Sequence, residues 1–170
     1  NKYRTQSFRL QSWDYGSSAA YFVTICTANR ERFFGEIENN QMNLNLIGQA
    51  VKTEWLKTFK MRPDMNLQMG EFIIMPNHFH AIIIIGDNQY NTAIIDSSGD
   101  AMHCGSTKNK KKCGPQSKNL ASIIRGFKSA VTTFARKNGK TNFGWQSLFH
   151  DVIIRDEKSF YNISNYIINN

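Results

Sequence analysis

Residues 75–85 read Met75-Pro76-Asn77-His78-Phe79-His80-Ala81-Ile82-Ile83-Ile84-Ile85, and this stretch decides the fold. The isoleucine run predicts a buried strand over residues 78–85, and Pro76-Asn77 predicts a turn before it. Residues 67–75 predict a second strand, and two strands joined by so short a connection are typical of antiparallel neighbours. Because side chains alternate along a strand, we expect His78 and His80 on one face and Phe79 on the other.

The histidine pair predicts a metal site, although an ordinary pair of surface or core histidines has the same spacing. Two imidazoles at adjacent positions on one face of a strand can both reach a single divalent cation. The two other histidines, His103 and His150, offer no comparable spacing. The sequence pattern alone leaves both interpretations open.

The rest of the chain supplies the other elements of an α+β fold. The order is strand, helix, strand, strand, helix, a strand-like segment and a last helix, which indicates a ferredoxin-like antiparallel sheet with packed helices. Asp156 is a plausible N-cap for the last helix. The remaining predicted elements are a strand over 21–27, a helix over 43–59, a helix over 119–137, an irregular segment leading into a strand over 145–154, and a helix from Glu157 onward.

Residues 86–118 differ in composition from the rest of the chain. They are rich in Gly, Ser, Asn and Asp, and they contain a lysine run over residues 108–112. A connection of this length without periodicity is usually functional or disordered. We therefore expect a mobile loop over 86–118 within one domain that spans residues 1–170.

The charge of the chain points to a nucleic-acid partner without proving one. The 170 residues include 21 Lys and Arg against 13 Asp and Glu, which gives a net charge of +8. A basic surface with no partner has the same composition. The longest apolar run covers residues 81–85, which is far below the ~20 residues of a membrane span. No signal peptide is recognisable, so a soluble protein without a membrane association is expected.

Three widely spaced cysteines, Cys26, Cys104 and Cys113, do not form the pattern of a disulfide framework. No Cys-x-x-Cys pair is present, which argues against a structural zinc site that would include His103. Cys26 lies in an apolar stretch and is expected to be a core residue. The cysteine usage favours the reducing cytoplasm.

The string MPNHFHAIII resembles the HUH motif (His, hydrophobic residue, His) of the single-tyrosine DNA transposases of bacterial insertion sequences. The whole chain most resembles their relatives, the REP-associated tyrosine transposases. Further matching stretches are YRTQSFRLQSWDY, AYFVTICTANRERFFG, GFKSAV, FGWQSLFHDVIIRDEKSF and NYIINN. Only residues 86–118 lie outside the resemblance. Two positions depart from the family pattern, with Ser147 where many relatives have a basic residue and Val152 where they have a histidine.

This resemblance implies a domain of the HUH endonuclease type that cleaves and rejoins single-stranded DNA with Mg2+ or Mn2+. It implies that His78 and His80 hold the metal while a tyrosine attacks phosphorus, giving a 5′-phosphotyrosine and a free 3′-hydroxyl. The family pattern of a tyrosine, three residues and an asparagine falls on Tyr166 and Asn170. It thereby implies that Tyr166 is the nucleophile. Four residues apart on a helix, Asn170 would share a face with Tyr166 and could be the third metal ligand. Tyr161 is the reserve candidate.

The expected partner is single-stranded or hairpin DNA, bound by a monomer or a homodimer. Basic side chains would contact backbone phosphates without reading sequence. The alternatives are a non-catalytic nucleic-acid-binding module and a metal-dependent phosphodiesterase without a covalent intermediate. The candidate DNA contacts are Arg4 and Arg9 in the N-terminal arm, Lys108, Lys110, Lys111 and Lys112 in the loop, and Arg125 and Lys128 on the middle helix.

Overall fold

A four-stranded antiparallel sheet with helices on both faces organises the computed structural model. The model describes residues 10, 12–92, 94–95, 101–102 and 117–170, with the backbone alone described at 94–95 and 101–102. Within the described ranges, no helix is both long and apolar enough to cross a membrane. The elements are β1 (Ala19–Cys26), β2 (Gly35–Glu38), β3 (Gln41–Leu44), α1 (Leu46–Lys60), β4 (Leu67–Met75), β5 (His78–Ile85), β6 (Ile94–Ile95), β7 (Ala101–Met102), α2 (Leu120–Lys137), β8 (His150–Ile154) and α3 (Glu157–Ile168).

The order of strands in the main sheet is β4-β5-β1-β8, and each strand runs antiparallel to its neighbours. Strands β1 and β4 are therefore parallel to each other with β5 between them, and α1 makes the crossover. This split βαβ arrangement is characteristic of ferredoxin-like folds, so the predicted α+β class is confirmed.

Side-chain alternation along β5 divides the molecule into two apolar layers. Phe79, Ala81, Ile83 and Ile85 face α1 and α2 within the larger core cluster. The ring of Trp55 on α1 lies 5.0 Å from that of Phe79, centroid to centroid, and 5.3 Å from that of Phe127 on α2. On the opposite face, Ile82 packs with Ile154 and with Ile167 of α3. We call this second face the histidine face because His78 and His80 also lie on it.

The ends of the helices are set by polar caps. The Asn45 side chain accepts hydrogen bonds from the backbone N–H groups of Ile47 and Gly48, so α1 begins at Leu46 rather than at the predicted residue 43. Asn119 and Ser122 form a capping box at the start of α2. The predicted cap of α3 is present, since Asp156 accepts a hydrogen bond from the Ser159 N–H at 2.8 Å.

The sequence analysis did not predict the hairpin of β2 and β3. Its turn residues Asn39 and Asn40 both have positive φ, 50° and 60°, as the type I′ turn of a two-residue hairpin requires. Asn tolerates this left-handed backbone better than most residues. An Asn-Asn pair at a hairpin turn was the signal available in the sequence.

Both ends of the predicted loop over 86–118 are anchored. The Tyr90 hydroxyl donates to the Asp64 carboxylate at 2.8 Å, and the Lys118 ammonium forms an ion pair with the same carboxylate. This ammonium also lies 4.9 Å from the centroid of the Tyr90 ring. We call these three residues the Asp64 clasp. Farther along the segment, the β6 and β7 backbones pair antiparallel, so the predicted loop is not wholly irregular.

Candidate active site on the histidine face

His78 and His80 lie side by side at the end of β5 that follows the turn at residues 76–77. Their ring centroids are 4.7 Å apart with an interplanar angle of 75°. In the register with β1, His78 lies opposite Cys26 and His80 lies opposite Thr24. The strand therefore presents both imidazoles on one face, as the alternation in the sequence predicts.

The hydrogen bonds of Asn77 determine which nitrogen of His78 is free. The Asn77 amide nitrogen donates to the Arg30 carbonyl at 3.0 Å, so the amide oxygen is the atom that lies 2.7 Å from His78 Nδ1. That oxygen can only accept, which assigns the proton to Nδ1 and leaves the Nε2 lone pair available for a cation. Asn77 thus orients the His78 imidazole.

His80 is held in a comparable way from the neighbouring strand. Its Nδ1 lies 2.8 Å from the Thr24 hydroxyl, and the Phe22 ring stacks on its imidazole at a centroid distance of 5.3 Å. His80 is 7% exposed. Hydrogen bonding at Nδ1 and stacking on one side fix the ring plane, so Nε2 is the remaining nitrogen for a ligand.

The electrostatics keep both imidazoles neutral at neutral pH. Burial lowers the pKa of His80 to about 4, and the neighbouring His78 adds to this effect. The pKa of His78 is also lowered, first by burial and then by the positive charge of Arg30. Neutral imidazole is the form that binds metals, so the site does not have to lose a proton before it holds a cation.

Tyr166 lies beside this pair on α3. Its ring centroid is 5.6 Å from that of His80 and 6.3 Å from that of Phe22. The side chain is 52% exposed, so a substrate can reach it from solvent. Tyr161 is 67% exposed and makes no ring contact with either histidine in the described part of the chain. The structure therefore brings together His78, His80 and Tyr166, and it leaves Tyr161 apart.

Asn170 lies just beyond the last helix. Helix α3 ends at Ile168, and Asn169 is its C-cap with a side chain that donates to the Asn165 carbonyl at 2.8 Å. Asn170 follows this C-cap and is exposed, and its placement one turn above Tyr166 stays a prediction. Its role as a third ligand stays a prediction.

The two imidazoles could hold a divalent cation only together with further donors. Within the described residues there is no cluster of three or more His, Cys, Asp and Glu side chains. Two imidazole nitrogens would thus need oxygen donors to complete a coordination sphere. Phosphate oxygens, water or an amide oxygen suit Mg2+ and Mn2+, which prefer oxygen and retain several waters.

Two of the predicted DNA contacts, Arg125 and Lys128, lie among the described residues. Lys128 donates to the Gln146 carbonyl at 2.6 Å, and burial lowers the pKa of its ammonium. This lysine therefore holds the segment before β8 in addition to any contact with DNA. Arg125, one turn earlier on α2, is exposed. The other candidates, Arg4, Arg9, Lys108, Lys110, Lys111 and Lys112, lie outside the described residues.

The chain is similar to known proteins in sequence and in fold. No known protein-family profile matches the chain. An uncharacterized protein of Haemophilus influenzae is 39% identical over 165 residues, covering 97% of this chain and 87% of that protein. Among solved structures, a REP-associated tyrosine transposase bound to a REP hairpin aligns with a TM-score of 0.57 and 18% identity, over 96% of this chain and 72% of that one. The likeness to that structure shows the fold.

Proposed function

This chain belongs to the same family as the Haemophilus influenzae protein, and we propose that it is a tyrosine transposase that cleaves and rejoins single-stranded or hairpin DNA. One observation carries the proposal. The Tyr166 ring lies 5.6 Å from the ring of His80, whose neutral imidazole stands 4.7 Å from that of His78. The proposed nucleophile and the two imidazoles proposed to hold the metal thus lie on one face of the sheet.

In the proposed reaction, the Tyr166 hydroxyl oxygen attacks the phosphorus of a phosphodiester. A bond forms between that oxygen and phosphorus, the bond from phosphorus to the 3′-oxygen breaks, and the 3′-oxygen takes a proton while the phenolic proton passes to water. The DNA is left with a free 3′-hydroxyl and a 5′-phosphate joined to the tyrosine. Because the phosphodiester energy is kept in the new bond, attack by a 3′-hydroxyl rejoins the strand without an external energy source.

The chain's own residues prepare this step in two ways. Asn77 and Thr24 direct the Nε2 atoms of His78 and His80 to where a cation would be held, with Asn170 as the predicted third ligand. Mg2+ or Mn2+, when bound, neutralises charge on the phosphate. A free tyrosine has a pKa of about 10, so only a small fraction of it is phenolate at neutral pH. Stabilising the transition state at phosphorus therefore matters more for the rate than this small phenolate fraction.

Support for a DNA partner comes from charge and from the fold. The chain carries a net charge of +8, and the REP-associated tyrosine transposase with the same fold was solved with a REP hairpin. We extend that class of ligand to this chain. Binding as a monomer or as a homodimer stays a prediction.

The test is incubation of the protein with labelled hairpin DNA carrying single-stranded flanks, in the presence of Mn2+, followed by a denaturing gel. Tyr166→Phe removes only the hydroxyl, and we expect it to abolish strand cleavage and the covalent adduct while sparing DNA binding. Tyr161→Phe, on the same helix, is the matched control and should retain both products. An adduct that persists in Tyr166→Phe contradicts the assignment.

The same gel separates the competing functions. Cleavage without an adduct favours a metal-dependent phosphodiesterase. Tight binding without cleavage in either Mg2+ or Mn2+ favours a non-catalytic nucleic-acid-binding module.

A further inference from the structure

Thr27, the residue that follows β1, joins two backbone segments beside the histidine pair. Its side chain is fully buried. Its hydroxyl oxygen lies 2.7 Å from the Glu31 carbonyl oxygen and 2.9 Å from the Asn77 carbonyl oxygen. Both carbonyls can only accept, so the hydroxyl donates its single proton between them. Thr27 therefore ties the turn after β1 to the turn before β5.

The same two turns hold the two ends of the Asn77 amide. The amide nitrogen donates to the Arg30 carbonyl at 3.0 Å, and the amide oxygen accepts from His78 Nδ1 at 2.7 Å. Arg30 belongs to the turn after β1, whereas Asn77 and His78 belong to the turn before β5 and to β5 itself. The hydrogen bond from Asn77 to Arg30 therefore requires that the two turns stay close together, and the Thr27 hydroxyl is a side-chain contact that keeps them so.

The turn after β1 is strained, so it needs such a contact. Asn29 and Arg30 both have a left-handed backbone, with φ of 53° and 55°. Asparagine tolerates this conformation, but it is costly for an arginine. Residues held in this way persist only where the surrounding structure fixes them. The Thr27 hydroxyl spans the strained pair, because it reaches the Glu31 carbonyl on the far side of it.

The orientation of the Asn77 amide decides which tautomer of His78 forms. With the amide oxygen toward the ring, the proton stays on Nδ1 and the Nε2 lone pair is free. A half-turn of the amide would present its NH2 group to Nδ1, and because this group can only donate, the ring proton would have to move to Nε2. The observed orientation is preferred because the Arg30 carbonyl accepts from the amide nitrogen. If the turn after β1 relaxes and this acceptor moves away, both orientations become available.

We propose that Thr27 is a positioning residue of the proposed metal site, and that its hydroxyl selects the Nδ1-protonated tautomer of His78 by holding the Arg30 carbonyl against the Asn77 amide. The proposal rests on the proposed function, since it assigns the free Nε2 atom of His78 to a cation. Thr27 acts on the imidazole only through Asn77. The contribution of Thr27 to metal affinity is therefore expected to equal that of the tautomer it selects.

The experiment compares substitutions that keep the shape of the side chain and change its donor. Thr27→Val replaces the hydroxyl by a methyl group. Thr27→Ser keeps a hydroxyl, and Thr27→Cys has a similar shape to Thr27→Ser but offers only a weak thiol donor. Thr58→Val is the matched control, because Thr58 is also buried, at 3% exposure, and its hydroxyl donates to the Glu54 carbonyl within α1, on the other face of the sheet.

Nitrogen NMR of the histidine rings is recorded at neutral pH without divalent cations. We expect Nδ1-protonated His78 in the unaltered protein, in Thr27→Ser and in Thr58→Val, and mixed tautomers in Thr27→Val and Thr27→Cys. Titration with Mn2+ should show about tenfold weaker binding in the same two variants. If Thr27→Val does not fold, the pair Thr27→Ser and Thr27→Cys carries the comparison.

Two results would overturn the proposal. One is a His78 ring that keeps its proton on Nδ1 when the Thr27 hydroxyl is absent. The other is an equal mixture of tautomers in Thr58→Val, because the effect would then come from lost stability and not from the position of Thr27.

The two proposals fail separately, because the tautomer is measured without metal or DNA. A covalent adduct formed by the unaltered protein with Mn2+, together with an unchanged tautomer in Thr27→Val and Thr27→Cys, overturns the role of Thr27 and leaves the proposed function standing. A changed tautomer in these variants, together with no adduct from the unaltered protein, overturns the enzymatic function and leaves Thr27 as the residue that sets the tautomer of His78.

Discussion

At the scale of single residues, Asn77 controls the orientation and the protonation of the His78 imidazole. It fixes the tautomer of His78 through one hydrogen bond and anchors itself to Arg30 through another. Removing it leaves the imidazole free to rotate and to move its proton to Nε2, the nitrogen that would hold the proposed metal. Mutation of a residue that hydrogen-bonds to a metal-ligating histidine typically lowers metal affinity by about 10–100-fold.

We therefore expect Asn77→Ala to weaken Mn2+ binding about tenfold or more, as measured by titration calorimetry. Nitrogen NMR of the histidine rings should show Nδ1-protonated His78 in the unaltered protein and mixed tautomers in the variant. Asn43→Ala is a suitable control, because among the described residues the Asn43 side chain hydrogen-bonds only to Glu38, in the exposed hairpin. An unchanged His78 tautomer in Asn77→Ala would refute the role of Asn77.

The low pKa of His80 predicts how stability depends on pH. The pKa is about 4 in the folded state and near ~6.5 in the unfolded chain, so between these values the unfolded state binds the proton and the folded state does not. Stability therefore falls as pH decreases through this window. By linkage the loss from His80 is about 2 kcal/mol on going from pH 7.5 to pH 5.

Urea unfolding at both pH values should show this loss in the unaltered protein and a smaller loss in His80→Asn, which cannot titrate. The comparison uses the difference between pH values within each protein, so the cost of the substitution itself cancels. Identical pH dependence in the two proteins would mean that His80 titrates normally.

At the scale of elements, α3 is held to the sheet by the apolar cluster of the histidine face, onto which Phe160, Ile163 and Ile167 pack. Ile167 is 1% exposed and packs with Ile82 and Ile154, while its neighbour Ile168 is 60% exposed. Tyr166 is adjacent to this anchor. The position of Tyr166 over the histidine face therefore depends on one small apolar cluster.

We expect Ile167→Ala to lower the free energy of unfolding by about 2–5 kcal/mol, because it leaves a cavity under α3. Ile168→Ala should change it by less than about 0.5 kcal/mol. Denaturant unfolding gives both values, and the adduct assay, run where both variants are folded, should show a lower yield for Ile167→Ala alone. Equal stability of the two variants would show that Ile167 does not anchor α3.

At the scale of the whole molecule, long periodic elements were predictable and geometry between elements was not. The sheet strands and helices α1, α2 and α3 follow from apolar periodicity, and His78 and His80 share a face because alternation requires it. The contact of Thr24 with His80 depends on the register of β1 against β5, which no local pattern gives. The end of α3 at Ile168 depends on how the last turn is capped, and this moved Asn170 off the helix.

Also at the scale of the whole molecule, the positive net charge predicts that DNA binding weakens as the salt concentration rises. Replacing Lys108, Lys110, Lys111 and Lys112 with Gln lowers the net charge from +8 to +4. If these lysines contact phosphates, binding should weaken and the slope of log affinity against log salt should become shallower, by roughly one unit for each lost contact. An unchanged slope in salt-titrated anisotropy would assign the lysine run to a solvated surface.

The Asp64 clasp has a practical consequence for engineering the chain. Tyr90 and Lys118 meet at one carboxylate, so the two residues on either side of the stretch 91–117 are held close together. The entropy cost of closing such a segment grows only slowly with its length, and insertions are best tolerated where the flanking chain is already fixed. The stretch between Tyr90 and Lys118 is therefore a natural place to graft an affinity tag, a fluorescent reporter or a targeting module without touching the histidine face.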